Sequence, residues 1–152
     1  MANGLIRRFP LIQPETDQHS GAANWSEAVE ITLPGGYSTL YISGVVPSIV
    51  NADTPLDTRE RYGTMEDQTR TVFQSLRDLL SRHGYEFSNL VKLTCFMVSE
   101  DDQKLDLDGF GVAYREFFDD SHLPARSRVV VTRLMDPGWL VEIEAIAVRH
   151  SA

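Results

Sequence analysis

The sequence lacks most of the residue patterns that identify an enzyme at first sight. Cys95 is its only cysteine, which excludes an intrachain disulfide and a cysteine-based metal cluster. The four histidines are scattered without HxxxH or HExxH spacing, so we expect no metal. The sequence also lacks the segments GxSxG, GxGxxG and GxxxxGK[ST]. It therefore predicts neither a serine-hydrolase elbow nor a phosphate-binding loop.

Long hydrophobic runs and an excess of positive charge are missing as well. No run approaches the ~18 apolar residues of a membrane span, and the N-terminus lacks the continuous apolar stretch of a secretory signal. We therefore expect a cytoplasmic protein that does not act at a membrane. The formal net charge is −8, whereas non-specific nucleic-acid binders need a basic surface, so nucleic acid is not an expected partner.

Length and composition predict a single globular domain. The 152 residues suit one hydrophobic core, and 42% hydrophobic with 24% charged residues is ordinary for such a domain. Residues 1–24 are weakly patterned, and we interpret them as an N-terminal arm.

Residue periodicity predicts seven elements. Two-residue alternation indicates strands, and apolar residues three or four apart indicate helices. The predicted elements are strands 27–33 and 38–46, helix 65–83, strand 90–98, helix 104–119, and strands 127–134 and 139–149. Their order is β-β-α-β-α-β-β, and each helix has one apolar face, which favours an α+β fold with both helices packed on one face of a sheet.

Local signals support these elements. Pro34-Gly35-Gly36 predicts a hairpin turn, Thr64 with Asp67 predicts a helix-capping box, and Gly84 suits the position after a helix end. Residues 47–63 have no period and are predicted to form a long loop. Cys95 falls on the apolar face of its strand, where a buried, inert thiol is the expected state.

The second face of the sheet would stay uncovered by helices. On the last strand this face mixes Leu140, Ile146 and Val148 with Glu142 and Glu144. Such a face is too apolar for solvent and too charged for the core of a monomer. A homo-oligomer that buries the face resolves the conflict.

The charged residues best suited to binding or catalysis are Arg126, Glu142 and Glu144. Arginine at a strand entrance suits bidentate capture of a carboxylate, and a surface ion pair is the alternative. A glutamate in a half-apolar site suits general acid-base catalysis. The alternative is a glutamate in a structural salt bridge or on a solvent-exposed sheet edge. A four-residue loop between the last two strands would put Arg126 and Glu142 on opposite faces, whereas three or five residues would reverse this.

Several segments together resemble the Rid family of reactive-intermediate (enamine/imine) deaminases, the RidA-like proteins. The segments are LYISGVVP, NLVKLTCFM, AYREFF, LPARSRVVVTRL and VEIEAIAVRH, and the resemblance covers about residues 25–150. It implies a chorismate-mutase-like α+β fold with a mixed sheet, and a homotrimer with ligand clefts between subunits. It also implies hydrolysis without a cofactor. In this reaction water adds to the C=N carbon of a 2-imino acid, and the carbinolamine that results releases ammonia and becomes a 2-oxo acid.

The resemblance also implies roles for individual residues. Arg126 matches the arginine that binds the substrate carboxylate, and Glu142 matches the glutamate that positions or activates water. Gly44 matches a glycine that lines the cleft, where a side chain would obstruct the ligand. Trp25 falls where the family often has a tyrosine near the cleft, and Tyr114 matches the tyrosine of the second helix.

Two positions depart from the family pattern. Gly111 replaces an asparagine three residues before Tyr114, and Arg128 replaces a residue that is often small or cysteine. An added cation suits a dicarboxylate such as 2-aminomuconate. Loss of a polar ligand instead suits a non-catalytic, trimeric small-carboxylate-binding or chaperone-like protein, which we keep as the alternative. The 47–63 segment is also longer than in the compact RidA form.

Overall fold

The computed structural model of the protein describes residues 5–11, 25–99 and 104–150. These residues form one six-stranded sheet with helices on one face. The strands are β1 (Leu5–Pro10), β2 (Ser26–Thr32), β3 (Tyr37–Val45), β4 (Leu90–Met97), β5 (Ala125–Val130) and β6 (Val141–His150). The helices are α1 (Arg59–Tyr62), α2 (Met65–Arg82) and α3 (Leu107–Phe117), with a 3-10 turn at Phe87–Asn89.

The sheet has the strand order β1-β2-β3-β6-β4-β5. Strands β4 and β5 are parallel, and every other neighbouring pair is antiparallel, so the sheet is mixed as expected. The predicted α+β class, with helices on one side of the sheet, is confirmed. Within the described ranges, the search for a helix that is both long and apolar enough to cross a bilayer finds none.

Helix α2 begins and ends where the sequence signals predict. The Thr64 hydroxyl accepts a hydrogen bond from the Asp67 backbone N–H, and the Asp67 carboxylate accepts one from the Thr64 backbone N–H. This capping box satisfies two amides that the first helical turn leaves without partners. Gly84 follows the last turn with φ of 73°, a left-handed conformation that glycine adopts without strain.

The hydrophobic core lies between the helices and one face of the sheet. Side chains of β6 alternate, with Val141, Ile143, Ala145 and Ala147 buried beneath the helices. Phe73 of α2 is fully buried and makes ring contacts with Phe87, Tyr114, Phe117 and Phe118. This aromatic cluster joins α2 to α3 and sets the position of α3 over the far strands of the sheet.

The last two strands do not pair with each other, so the expected pairing across a short loop of three to five residues is wrong. Strand β5 pairs in parallel with β4, and β6 lies between β3 and β4. Parallel strands need a long crossover connection, and α3 supplies it between β4 and β5. Residues 131–140 are the irregular connection from the sheet edge back to its centre.

The N-terminal region contains a strand that the sequence analysis missed. Residues Leu5–Pro10 of the predicted arm form β1, which pairs with β2 along the sheet edge. Arg7 lies 3.5 Å from buried Glu30, and the Phe9 ring stacks on His83 at 4.0 Å between centroids. Most of the strand is exposed, so it has no clear apolar alternation to reveal it. Residues 12–24 lie outside the described residues.

The predicted 47–63 loop is held in place by its own contacts and includes the short helix α1. The Arg61 guanidinium donates to the carbonyl oxygens of Ala52 at 3.0 Å and Thr54 at 2.8 Å. The Tyr62 hydroxyl donates to Asp136 at 2.6 Å, and burial together with this carboxylate raises the pKa of Tyr62 to about 12. The segment is therefore attached to the β5–β6 connection.

Gln68 joins three backbone segments inside the core. Its side-chain amide donates to the carbonyl oxygens of Gly63 at 3.1 Å and Gly138 at 2.9 Å, and its carbonyl accepts from the Leu140 N–H at 2.7 Å. The side chain is fully buried. Its loss would leave these backbone groups without partners in a region that water does not reach.

We expect Gln68→Ala to lower the free energy of unfolding by about 3 kcal/mol, because each unsatisfied buried group costs about 1–3 kcal/mol. Chemical denaturation measures the change. Gln74→Ala is the matched control, since Gln74 is exposed on the same helix. An equal, small change in both variants would contradict this role for Gln68.

Candidate functional site

Glu142 is a half-buried carboxylate on the face of the sheet away from the helices. It lies in β6, opposite Phe96 of β4. Within the described residues, its carboxylate has no hydrogen bond or ion pair. Burial raises the pKa of Glu142 above its ordinary value, and the neighbouring negative charge of Glu144 raises it further. Glu142 is therefore suited to exchange protons closer to neutral pH than an exposed glutamate is.

Gly44 leaves room for the Glu142 carboxylate. Strand β3 bulges here, because two residues lie between Ile42 and Val45 while only one lies between their partners Ala145 and Ile143. A Cβ atom added at Gly44 would overlap the Glu142 carboxylate. The space that Gly44 leaves is filled by Glu142, which gives glycine a packing reason at this position. A role of Gly44 in lining a ligand cleft stays a prediction.

Trp25 and Gly44 both line a groove of about 380 Å³, and Trp25 is 51% exposed. Val45, Val46 and Leu79 give the groove apolar walls, and Ser43 and Arg82 give it polar groups. We call Glu142, Gly44 and Trp25 the carboxylate half-site.

Arg126 lies on the opposite face of the sheet, against α3. Its guanidinium carbon is 4.3 Å from the centroid of the Tyr114 ring and 5.6 Å from that of Phe110. Burial raises the pKa of Tyr114, and the positive charge of Arg126 opposes this effect. Stacking fixes the plane of the guanidinium and leaves its N–H edge available to a ligand. Among the described residues, no carboxylate forms an ion pair with Arg126.

Arg128 follows two residues later, on the same face of β5. Its register partner in β4 is Cys95. Burial raises the pKa of the Cys95 thiol to about 11, although the charges of Arg126 and Arg128 oppose the shift. The prediction that this thiol is buried is confirmed. We call Arg126, Arg128 and Tyr114 the guanidinium half-site.

The two half-sites are not brought together within one chain. Glu142 in β6 and Arg126 in β5 are separated by β4, and two strand spacings amount to about 10 Å. Their side chains also leave opposite faces of the sheet. This answers the question that the loop length left open in the sequence.

Phe110 belongs to the candidate site, although its position in the sequence does not single it out. It lies under Arg126 together with Tyr114, four residues later on the same helix face. The i, i+4 spacing of the two rings is visible in the sequence, but the strand that passes over them is not.

One known protein family matches most of the chain. A family model described as endoribonuclease L-PSP, the YjgF/RidA family, matches residues 16–149. The chain belongs to this family. The Rid resemblance of the sequence is thereby confirmed, and so is the fold class that it implied.

Individual Rid relatives match over most of their length. RutC family protein PH0854 of Pyrococcus horikoshii is 32% identical over 111 residues, covering 73% of this chain and 79% of that protein. The mouse 2-iminobutanoate/2-iminopropanoate deaminase is 31% identical over 128 residues, covering 82% of this chain and 81% of that enzyme. The solved structure of Pseudomonas aeruginosa PA3499 superposes with a TM-score of 0.72 at 28% identity, covering 95% of this chain and 93% of that one.

We expect Gly44→Ala to lower the free energy of unfolding by about 1–3 kcal/mol, the usual cost of overpacking, because the new methyl group overlaps Glu142. In a Glu142→Ala background the same change should cost little. Denaturant unfolding of the four proteins gives the coupling. Equal costs in the two backgrounds would show that Gly44 has another role.

We expect Glu142→Gln to raise the stability of the protein at pH 7. The folded-state pKa of Glu142 is raised, so its charged form opposes folding, and wild-type stability falls as pH rises between the unfolded and folded pKa values. The stability difference between Glu142→Gln and wild type should therefore shrink as pH drops through this interval. Thermal unfolding at several pH values measures this difference, with exposed Glu60→Gln as the control. An advantage that grows on acidification would contradict the direction of the shift.

Proposed function

We propose that this Rid protein is a cofactor-independent deaminase that hydrolyses enamine/imine acids to ammonia and 2-oxo acids. The observation that carries the proposal is the Glu142 carboxylate, which is half-buried, has a raised pKa and has no partner within the described residues. The name of the mouse relative, a 2-iminobutanoate/2-iminopropanoate deaminase, supports the same reaction class.

Glu142 acts as the general base and acid of this reaction. It takes a proton from water as the water oxygen bonds to the C=N carbon, and it passes this proton to the imine nitrogen, so that a carbinolamine forms. It then takes the proton of the new hydroxyl group and passes it to the amino nitrogen as the C–N bond breaks, which releases ammonia and the 2-oxo acid. A glutamate with a raised pKa suits both proton transfers near neutral pH.

Arg126 binds the carboxylate next to the C=N carbon. Its stacked guanidinium offers two parallel N–H groups, the geometry that a carboxylate accepts in a bidentate pair. Tyr114 and Phe110 fix this orientation from below. Trp25 and Gly44 border the substrate on the side of Glu142.

The substrate is bound between two copies of the chain, in a homotrimer. One copy contributes the guanidinium half-site and its neighbour contributes the carboxylate half-site, since one chain holds them on opposite faces of its sheet. The open face also presents apolar side chains in register, including Val29, Tyr41 and Ile146. Burial of this face between copies would remove it from water.

The substrate class extends to dicarboxylic imino and enamino acids such as 2-aminomuconate. Arg128 supports this, because it adds a second cation two residues after Arg126 on the same face. We propose that the chain acts as a single domain in the cytoplasm, on small molecules rather than nucleic acid. A net charge of −8 supports the last point.

The proposal predicts faster hydrolysis of 2-imino acids that an amino-acid oxidase generates in the assay. Glu142→Gln should lower kcat by about 10²-fold or more, the range of general acid-base catalysis. Arg126→Ala should instead raise KM by about tenfold or more, because a charged hydrogen bond is worth about 1.5–3 kcal/mol. Release of ammonia over the buffer rate measures both.

Binding of pyruvate separates catalysis from the non-catalytic alternative. The catalytic proposal requires turnover by wild type and retained pyruvate binding by Glu142→Gln. Binding without acceleration by wild type would support a small-carboxylate-binding or chaperone-like protein instead.

A further inference from the structure

Three arginines on the surface formed by α3 and β5 have no carboxylate partner among the described residues. They are Arg115 of α3 and Arg126 and Arg128 of β5. Elsewhere in those ranges, Arg7, Arg70, Arg82 and Arg149 are paired with glutamate. Arg61, Arg77 and Arg133 also have no carboxylate partner there, but they do not lie together on one surface with a second unpaired arginine stacked on an aromatic ring. The chain has 22 acidic and 14 basic residues, so partners are abundant. Unpaired guanidinium groups gathered on one surface indicate a site for an anion that the protein does not supply.

Gly111 makes space for one of these arginines. It lies in the interior of α3, where glycine is unfavourable relative to alanine. A Cβ atom at Gly111 would lie 3.3 Å from Nη1 of Arg115. Helical side chains reach back over the preceding turn, so the Arg115 guanidinium lies over the backbone of Gly111. A larger residue at position 111 would crowd it.

Arg115 and Arg126 lie over neighbouring positions of the same helix. Arg126 stacks on Tyr114, and Arg115 lies against Gly111, three residues earlier. Positions three apart are neighbours on a helix surface, so the two guanidinium groups contact adjacent parts of α3. A ligand with two carboxylates suits a pair of cations placed in this way. Arg128 adds its charge from the strand.

We propose that Arg115 is a specificity-determining residue that binds the distal carboxylate of a dicarboxylic substrate, while Arg126 binds the carboxylate beside the reacting carbon. Gly111 permits this by leaving the helix surface bare. The inference rests on the proposed imine-hydrolysing function, which it deepens by assigning the second anion site. An acidic protein repels a dianion, and a second guanidinium offsets that repulsion where the substrate binds.

The test compares imines formed in the assay from glutamate and from alanine. Arg115→Ala should raise KM for the glutamate-derived imine about tenfold, and raise it at least fivefold more than for the alanine-derived imine, with kcat little changed. The KM of Arg115→Lys for the glutamate-derived imine should lie between those of wild type and Arg115→Ala, because lysine keeps the charge without the two parallel N–H groups of the guanidinium.

Gly111→Asn should raise the same KM, as Arg115→Ala does, by displacing the Arg115 guanidinium. Arg133→Ala removes an exposed arginine and should change neither KM.

Product binding keeps the inference separate from the proposed function. Calorimetry with 2-oxoglutarate and pyruvate needs no turnover, so it decides the role of Arg115 even if wild type hydrolyses no imine. Selective loss of 2-oxoglutarate affinity in Arg115→Ala supports the inference. Equal losses for both ligands, or unchanged 2-oxoglutarate binding, overturn it.

Discussion

Alternation of side chains along a strand is the constraint on which this molecule depends. It sends Ile143 and Ala145 into the core beneath the helices, and it sends Glu142 and Glu144 to the opposite face. Applied to β5 in its parallel register with β4, the same rule turns Arg126 toward α3. The cation and the carboxylate of the proposed site are therefore divided by the sheet itself, and in our proposal a second copy of the chain brings them to one substrate.

Each half-site is held by a local feature at some cost in stability. A bulge in β3 places Gly44 where Glu142 needs space, and the half-buried carboxylate opposes folding in its charged form. Arg126 lies flat on Tyr114, and Arg115 lies over a helical glycine. The charged groups of these half-sites have no ion-pair partner among the described residues. A ligand or a second subunit can supply that partner.

Local elements were predictable because their signals are local. The capping box at Thr64 and the glycine at position 84 fixed the bounds of α2, and helix 104–119 was found as Leu107–Phe117. The partner of β5 was not predictable, because periodicity reports which face is buried and not which strand lies alongside. Exposed β1 gave no pattern at all. Arg126 and Glu142 were found as candidates, whereas their separation by β4 depends on the long-range pairing that the sequence hides.

Activity of mixed oligomers tests most directly whether the site is shared between copies. Arg126→Ala and Glu142→Gln proteins are each prepared, unfolded, combined in equal amounts and refolded together, and imine hydrolysis is measured. If one copy supplies Arg126 and its neighbour supplies Glu142, one site in each mixed trimer regains both groups, about a quarter of all sites in a random mixture, and activity returns. If both groups act from one chain, no mixed site contains the pair, and the mixture stays as inactive as its components.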